Sequence, residues 1–64
     1  MHKKIKEGDW VTYRGNSVSL TDLKGKSGEV VRVLERTDAW TRVEVIFGER
    51  RVIVLTENLE SKEA

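Results

Sequence analysis

Trp40-Thr41-Arg42-Val43-Glu44-Val45-Ile46-Phe47, Gly48-Glu49, Arg50-Arg51-Val52-Ile53-Val54-Leu55 is the stretch whose reading decides the fold. Its first part is rich in β-branched and aromatic residues and alternates cleanly. Val43, Val45 and Phe47 face one way; Arg42, Glu44 and Ile46 face the other. That is the pattern of a strand with one buried face. Gly48-Glu49 is a two-residue hairpin connection, and glycine at its first central position suits a type II′ turn. Arg50 to Leu55 is the return strand, with Val52 and Val54 inward.

Upstream, Glu29 to Glu35 is rich in valine and reads as another strand, but its phase is broken. Val30 and Val33 cannot share a face at period two unless a bulge or strong bend intervenes. This predicts a small, highly curved barrel. Lys24-Gly25-Lys26-Ser27-Gly28 precedes it as a turn, with both glycines candidates for positive φ. Trp10 to Arg14 is a further strand, entered through the turn signal Glu7-Gly8-Asp9. Residues 1–6 are expected to fray and to order near Ile5. Gly15 to Leu23 holds no sustained period. It reads as a long loop that tucks apolar side chains such as Val18 and Leu20 onto the domain. Arg36 to Ala39 is a connecting loop. Downstream, Thr56 to Leu59 reads as one helical turn, with Thr56 as a candidate cap and Leu59 folding back. Residues 60–64 read as a polar tail.

These elements define an all-β chain. The expected architecture is a small SH3-like barrel of about five short, strongly bent antiparallel strands, with one helical turn before the last segment. An OB-fold is the alternative, and would normally want a longer chain and a helix between its third and fourth strands. The chain forms a single domain over 1–64, with an ordered core at about 5–60 and tails at 1–4 and 61–64. At 64 residues it can build one core and no more.

Composition narrows the function. With no cysteine and one histidine, the chain has no disulfide framework and no zinc site of the Cys/His type. No apolar run approaches the ~20 residues that span a bilayer, and no apolar segment follows the N-terminal lysines. A cytoplasmic protein with no membrane role is expected. Residues 1–32 hold seven cations and four anions; residues 33–64 hold five and seven. The sequence pI of 8.1 falls below the ~9 common in dedicated nucleic-acid binders. A solvated surface of mixed sign explains most of this charge.

The residues that could carry chemistry are few. His2, the only imidazole, lies in the N-terminal segment, and a triad needs a base held in place. The carboxylate pairs Glu57 with Glu60 and Asp9 with Glu7 show no sign of burial that would raise a pKa. The Gly25 to Gly28 turn leads into a strand, whereas a phosphate cradle leads into a helix. The chain therefore reads as a non-enzyme with no cofactor, no metal and no small-molecule substrate. Binding is the remaining class. Trp10, Tyr13 and Trp40 are either core or anchors for a partner. Arg14, Lys24, Lys26, Arg50 and Arg51 form a basic rim. Such residues also keep strand edges soluble.

Ile5 to Val11, followed by Lys24 to Val33, resembles the KOW motif of ribosomal proteins and transcription elongation factors. Gly28 matches the motif's glycine. The resemblance implies an SH3-like barrel that docks RNA or protein through loops, at Lys24, Lys26 and Arg14. Asp22 to Val30, then Val33-Leu34, then Val43 to Phe47, is similar to the variable chain of ferredoxin–thioredoxin reductase. More loosely, the same stretches resemble other SH3-like electron-transport accessory subunits and the β chain of nitrile hydratase. That resemblance implies a non-catalytic subunit that clamps a partner protein. The primary expectation is therefore an accessory module binding a protein through Val18, Leu20, Arg36 and Trp40. The alternative is a nucleic-acid module using Arg14, Lys24, Lys26, Arg50 and Arg51.

Overall fold

In a computed structural model, which describes residues 5–61, the hairpin forms as β3 (Thr41–Phe47) and β4 (Arg50–Leu55). Its register pairs Phe47 with Arg50 and continues without a break to Arg42 opposite Leu55. Gly48 has φ 64°, and no other residue type adopts a positive φ among the described residues. Only the first central residue is left-handed, as the type II′ turn requires. β1 (Trp10–Tyr13), β2 (Ser27–Arg36) and β5 (Leu59–Ser61) complete one antiparallel sheet in the order β4-β3-β2-β1-β5. The arrangement is compatible with a small β-barrel. β3 and β4 are joined by the two-residue turn alone, so the helix an OB-fold would place there is absent.

The broken phase of β2 has the predicted cause. The β2–β3 register shifts between Val30 and Arg32 and again between Val33 and Glu35. Each shift passes over one residue, Val31 and then Leu34. The first bulge, at Val31, returns Val30 and Val33 to one face, opposite Val45 and Val43. Val30, Val43 and Val45 are fully buried with Val11 and Tyr13, and Ile5, Leu23, Phe47 and Val54 close the core. Leu20, Val33, Val52 and Leu59 pack around it, half-buried. At ten residues β2 is longer than expected, and the bulges let so long a strand bend around the core.

Several local expectations are corrected. Val18–Leu23 is a kinked 3-10 segment rather than a loop, with non-helical angles at Leu20. Arg36 is the last residue of β2, opposite Thr41, and Trp40 lies in the turn before β3. The first strand stops at Tyr13, before Arg14. Thr56–Asn58 is the expected helical turn, but no side chain caps it. Leu59, expected in that turn, and Glu60 and Ser61, expected as tail, instead pair with Tyr13, Thr12 and Val11 as β5. His2, the expected frayed start at 1–4 and residues 62–64 lie outside the described residues.

Gly25 and Gly28 serve different needs. Gly25 has φ 83° in a turn closed by the Lys26 N–H donating to Leu23 O at 2.9 Å. Gly28 has no positive φ. A Cβ there would meet Ile46 O at 2.5 Å and the Phe47 ring at 2.8 Å. Gly28→Ala should therefore cost about 1–3 kcal/mol by overpacking. Gly25→Ala should cost about 1–2 kcal/mol through backbone strain. Urea unfolding separates them, because Gly25→Asn should recover part of the loss, asparagine tolerating left-handed backbone, while Gly28→Asn should be worse than Gly28→Ala. Equal behaviour of the two asparagine variants would refute the distinction.

Candidate interaction surface

The 3-10 segment is braced from several directions. Tyr13 is buried, and its ring meets Phe47 edge-on with centroids 6.5 Å apart. Its hydroxyl accepts from the Ser17 N–H at 3.3 Å, just before the segment begins. Gly15 permits this, since a Cβ there would collide with the Tyr13 ring. The Leu20 N–H donates to Ser17 O at 3.1 Å. Lys24 Nζ donates to Asn16 Oδ1 at 3.0 Å across the base. Arg50, at the start of β4, pairs with Asp22. Leu23 is buried and Leu20 half-buried against the core, which leaves Val18 projecting at 87% exposure.

The β2–β3 turn is organised by one hydroxyl. Thr37 Oγ1 accepts from the N–H groups of Ala39 and Trp40 at 3.2 and 3.0 Å and donates to Trp40 O at 2.9 Å. The Thr37 N–H also donates to Trp40 O, at 2.8 Å. A side-chain hydroxyl used in this way takes the place of a main-chain turn partner. Trp40 is thereby held half-buried, with the Arg42 guanidinium carbon 5.2 Å from its ring centroid. That distance is within cation–π range. Arg42 also pairs with Glu35 at 3.4 Å. Arg36 is exposed beside the turn. Of the four residues expected to bind protein, Arg36 and Trp40 therefore meet at this turn and Val18 and Leu20 share the 3-10 segment. No hydrogen bond or ion pair joins the two places among the described residues.

The basic rim is dispersed and largely compensated. Arg14 pairs with Glu60 at 2.7 Å, Arg50 with Asp22, and Arg51 with Glu44 at 3.5 Å. Lys24 is engaged by Asn16, and Lys26 makes no ion pair among the described residues. Anions beside the cations cancel the field that phosphates would be drawn to. Glu44 is the most enclosed of these anions. It lies on the outer face of β3, yet is only 8% exposed, because Arg32 (3.4 Å) and Arg51 cover it from the flanking strands β2 and β4.

The outer face also holds Ile53, which the sequence reading passed over. The register aligns Trp10, Glu29, Ile46 and Arg51 in one row across β1 to β4, and Arg32, Glu44 and Ile53 in the next. Trp10 is 53% and Ile53 58% exposed. The signal for Ile53 was present, since Val52 and Val54 face inward and force it outward. The signal for Thr37 was the threonine three residues before Trp40. A recess of about 200 Å³ lies beside Trp10, lined by Gly8, Asp9 and Ser61. That is below the ~300 Å³ at which small-molecule sites begin. Among the described residues no group of three or more His, Cys, Asp or Glu could hold a metal ion, and no helix is long and apolar enough to cross a membrane. None of the protein-family models, curated proteins or solved structures compared with the chain matches it.

Glu44→Gln removes the charge that two guanidinium groups share. It should lower stability by about 1 kcal/mol at low salt. The loss should shrink in concentrated salt, where exposed arginines are screened. Urea denaturation at two salt concentrations checks this, and a loss independent of salt would assign the effect to packing.

Proposed function

We propose that this chain is a non-catalytic, cytoplasmic binding module that docks as an accessory or stabilising subunit onto a partner protein. We assign it to the SH3-like barrels. Strand order, the long excursion between β1 and β2, the tight β3–β4 hairpin and the 3-10 turn before β5 support that assignment. Architecture does not by itself give function. The observation that carries the reading is Val18, a β-branched aliphatic residue at 87% exposure on a segment held by Tyr13, Arg50 and Lys24. A projecting apolar residue on a braced support is already arranged for a partner, so little ordering cost remains at binding. Trp40, held by Thr37 and Arg42, offers a second anchor of the kind that dominates interface energies. Arg36 and Leu20 flank these anchors.

The alternative is nucleic-acid binding through Arg14, Lys24, Lys26, Arg50 and Arg51. The nearby Glu60, Asp22 and Glu44 count against it.

Affinity capture from the native organism tests the proposal. The wild-type chain should retain a protein partner, and Val18→Glu and Trp40→Ala should each weaken it at least about fivefold, roughly 1 kcal/mol. Retention unchanged in both variants would sink this surface. A fluorescent single-stranded or duplex probe should show no binding at about 50 mM salt. Binding there that falls steeply as salt rises would favour the nucleic-acid reading.

A further inference from the structure

We propose that β4 is a dimerisation edge, on which two copies of this chain pair antiparallel about Ile53. β4 is a terminal strand of the sheet. Phe47 and Arg50 flank the two-residue turn and form its closing hydrogen-bonded pair. Bonded and non-bonded pairs alternate along an antiparallel ladder. Arg50, Val52 and Val54 therefore turn their N–H and C=O groups to β3, while Arg51, Ile53 and Leu55 turn theirs to the open edge. Leu55 is the N-cap of the 3-10 turn, so its C=O accepts within that turn and only its N–H is left at the edge. No turn or loop hydrogen bond of the main chain among the described residues uses Arg51 or Ile53. Arg51 and Ile53 are exposed and Leu55 is half-buried.

Such an edge is a template for another strand unless it carries proline, a bulge or charge along its length. β4 has no proline, and its register is unbroken. Its cations, Arg50 and Arg51, sit at one end only. That distribution selects the occupant. In a parallel pairing of two β4 strands the arginines would meet. In an antiparallel pairing they lie at opposite ends. With Ile53 on the two-fold, Arg51 faces Leu55 of the second copy and Ile53 faces its own equivalent. The Ile53 pair exchanges two main-chain hydrogen bonds, and each Arg51–Leu55 pair adds one, from the Leu55 N–H to the Arg51 C=O. A slip of two residues leaves outward groups unpaired at both ends. The favoured register also brings the two exposed Ile53 side chains together on the outer face and buries them. Arg51 is already satisfied by Glu44, so the edge asks for no acidic residue from a foreign strand. Its pattern is complementary to itself.

A contact limited to one edge falls at the low end of interface size, so the dimer should dissociate on dilution. Sedimentation velocity from about 10 µM to 1 mM tests it. The wild-type mass should rise with concentration from 7.4 kDa towards twice that value. Ile53→Lys and Ile53→Glu should each stay monomeric, because like charges would face each other across the two-fold. Both should remain folded by circular dichroism, since the side chain is exposed. An equimolar mixture of the two should recover a dimer. A wild-type chain that stays monomeric, a dimer that survives Ile53→Lys, or a mixture that fails to associate would each overturn the proposal.

Discussion

The passage of β2 over β3 at Gly28 is the constraint on which the rest of the structure depends. On one side Gly28 is paired with Val11 of β1. On the other, the Ile46 carbonyl and the Phe47 ring come so close that no side chain fits. The space left by the missing side chain is filled by Phe47, whose ring meets that of Tyr13 at a steep angle. The Tyr13 hydroxyl then reaches out of the core to Ser17. A single backbone position thus links β1, β2 and β3 to the placement of a surface segment. Beyond Gly28 the two bulges bend β2 inward, and Val30 and Val33 follow the curvature into the core.

The candidate surface is a by-product of this economy. The core takes most of the apolar residues, so the large ones left exposed are few: Trp10, Val18, Leu34 and Ile53. Single exposed apolar residues are ordinary on a protein surface. Val18 differs because its support is fixed by an ion pair, a tyrosine hydroxyl and a lysine–asparagine bond. Trp40 is fixed by a threonine hydroxyl and an arginine. In both places polar contacts hold an apolar side chain where solvent can reach it.

The hairpin was legible because turn chemistry and alternation agree there. Arg50 to Leu55 forms over the residues expected, and the type II′ turn follows from the position of Gly48. The bulge at Val31 was legible from the phase of Val30 against Val33; the one at Leu34 was not. Other features depend on partners distant in sequence. β5 is three residues long, too short to alternate, and exists because β1 offers it an edge. The Val18–Leu23 segment has 3-10 turns, whose period leaves no clear apolar stripe in six residues. Gly28 could be recognised as special, but a glycine needed for space looks the same in sequence as one needed for φ. The enclosure of Glu44 required knowing that β2 and β4 would bring an arginine to either side. At the candidate site, the residue types at Val18 and Trp40 were readable. The braces that hold them, Asp22 with Arg50 and Thr37 with Trp40, were not.

The pairing of cations with neighbouring carboxylates also bears on kinetics. A protein whose surface charges cancel within a few ångströms projects little field beyond a Debye length of about 8 Å at physiological salt. Its paired cations add little long-range pull on a charged partner. Encounter is then left to unaided diffusion, with association rate constants of about 10⁵–10⁶ M⁻¹ s⁻¹ that barely respond to ionic strength. Selectivity on such a surface resides in how slowly the correct partner leaves.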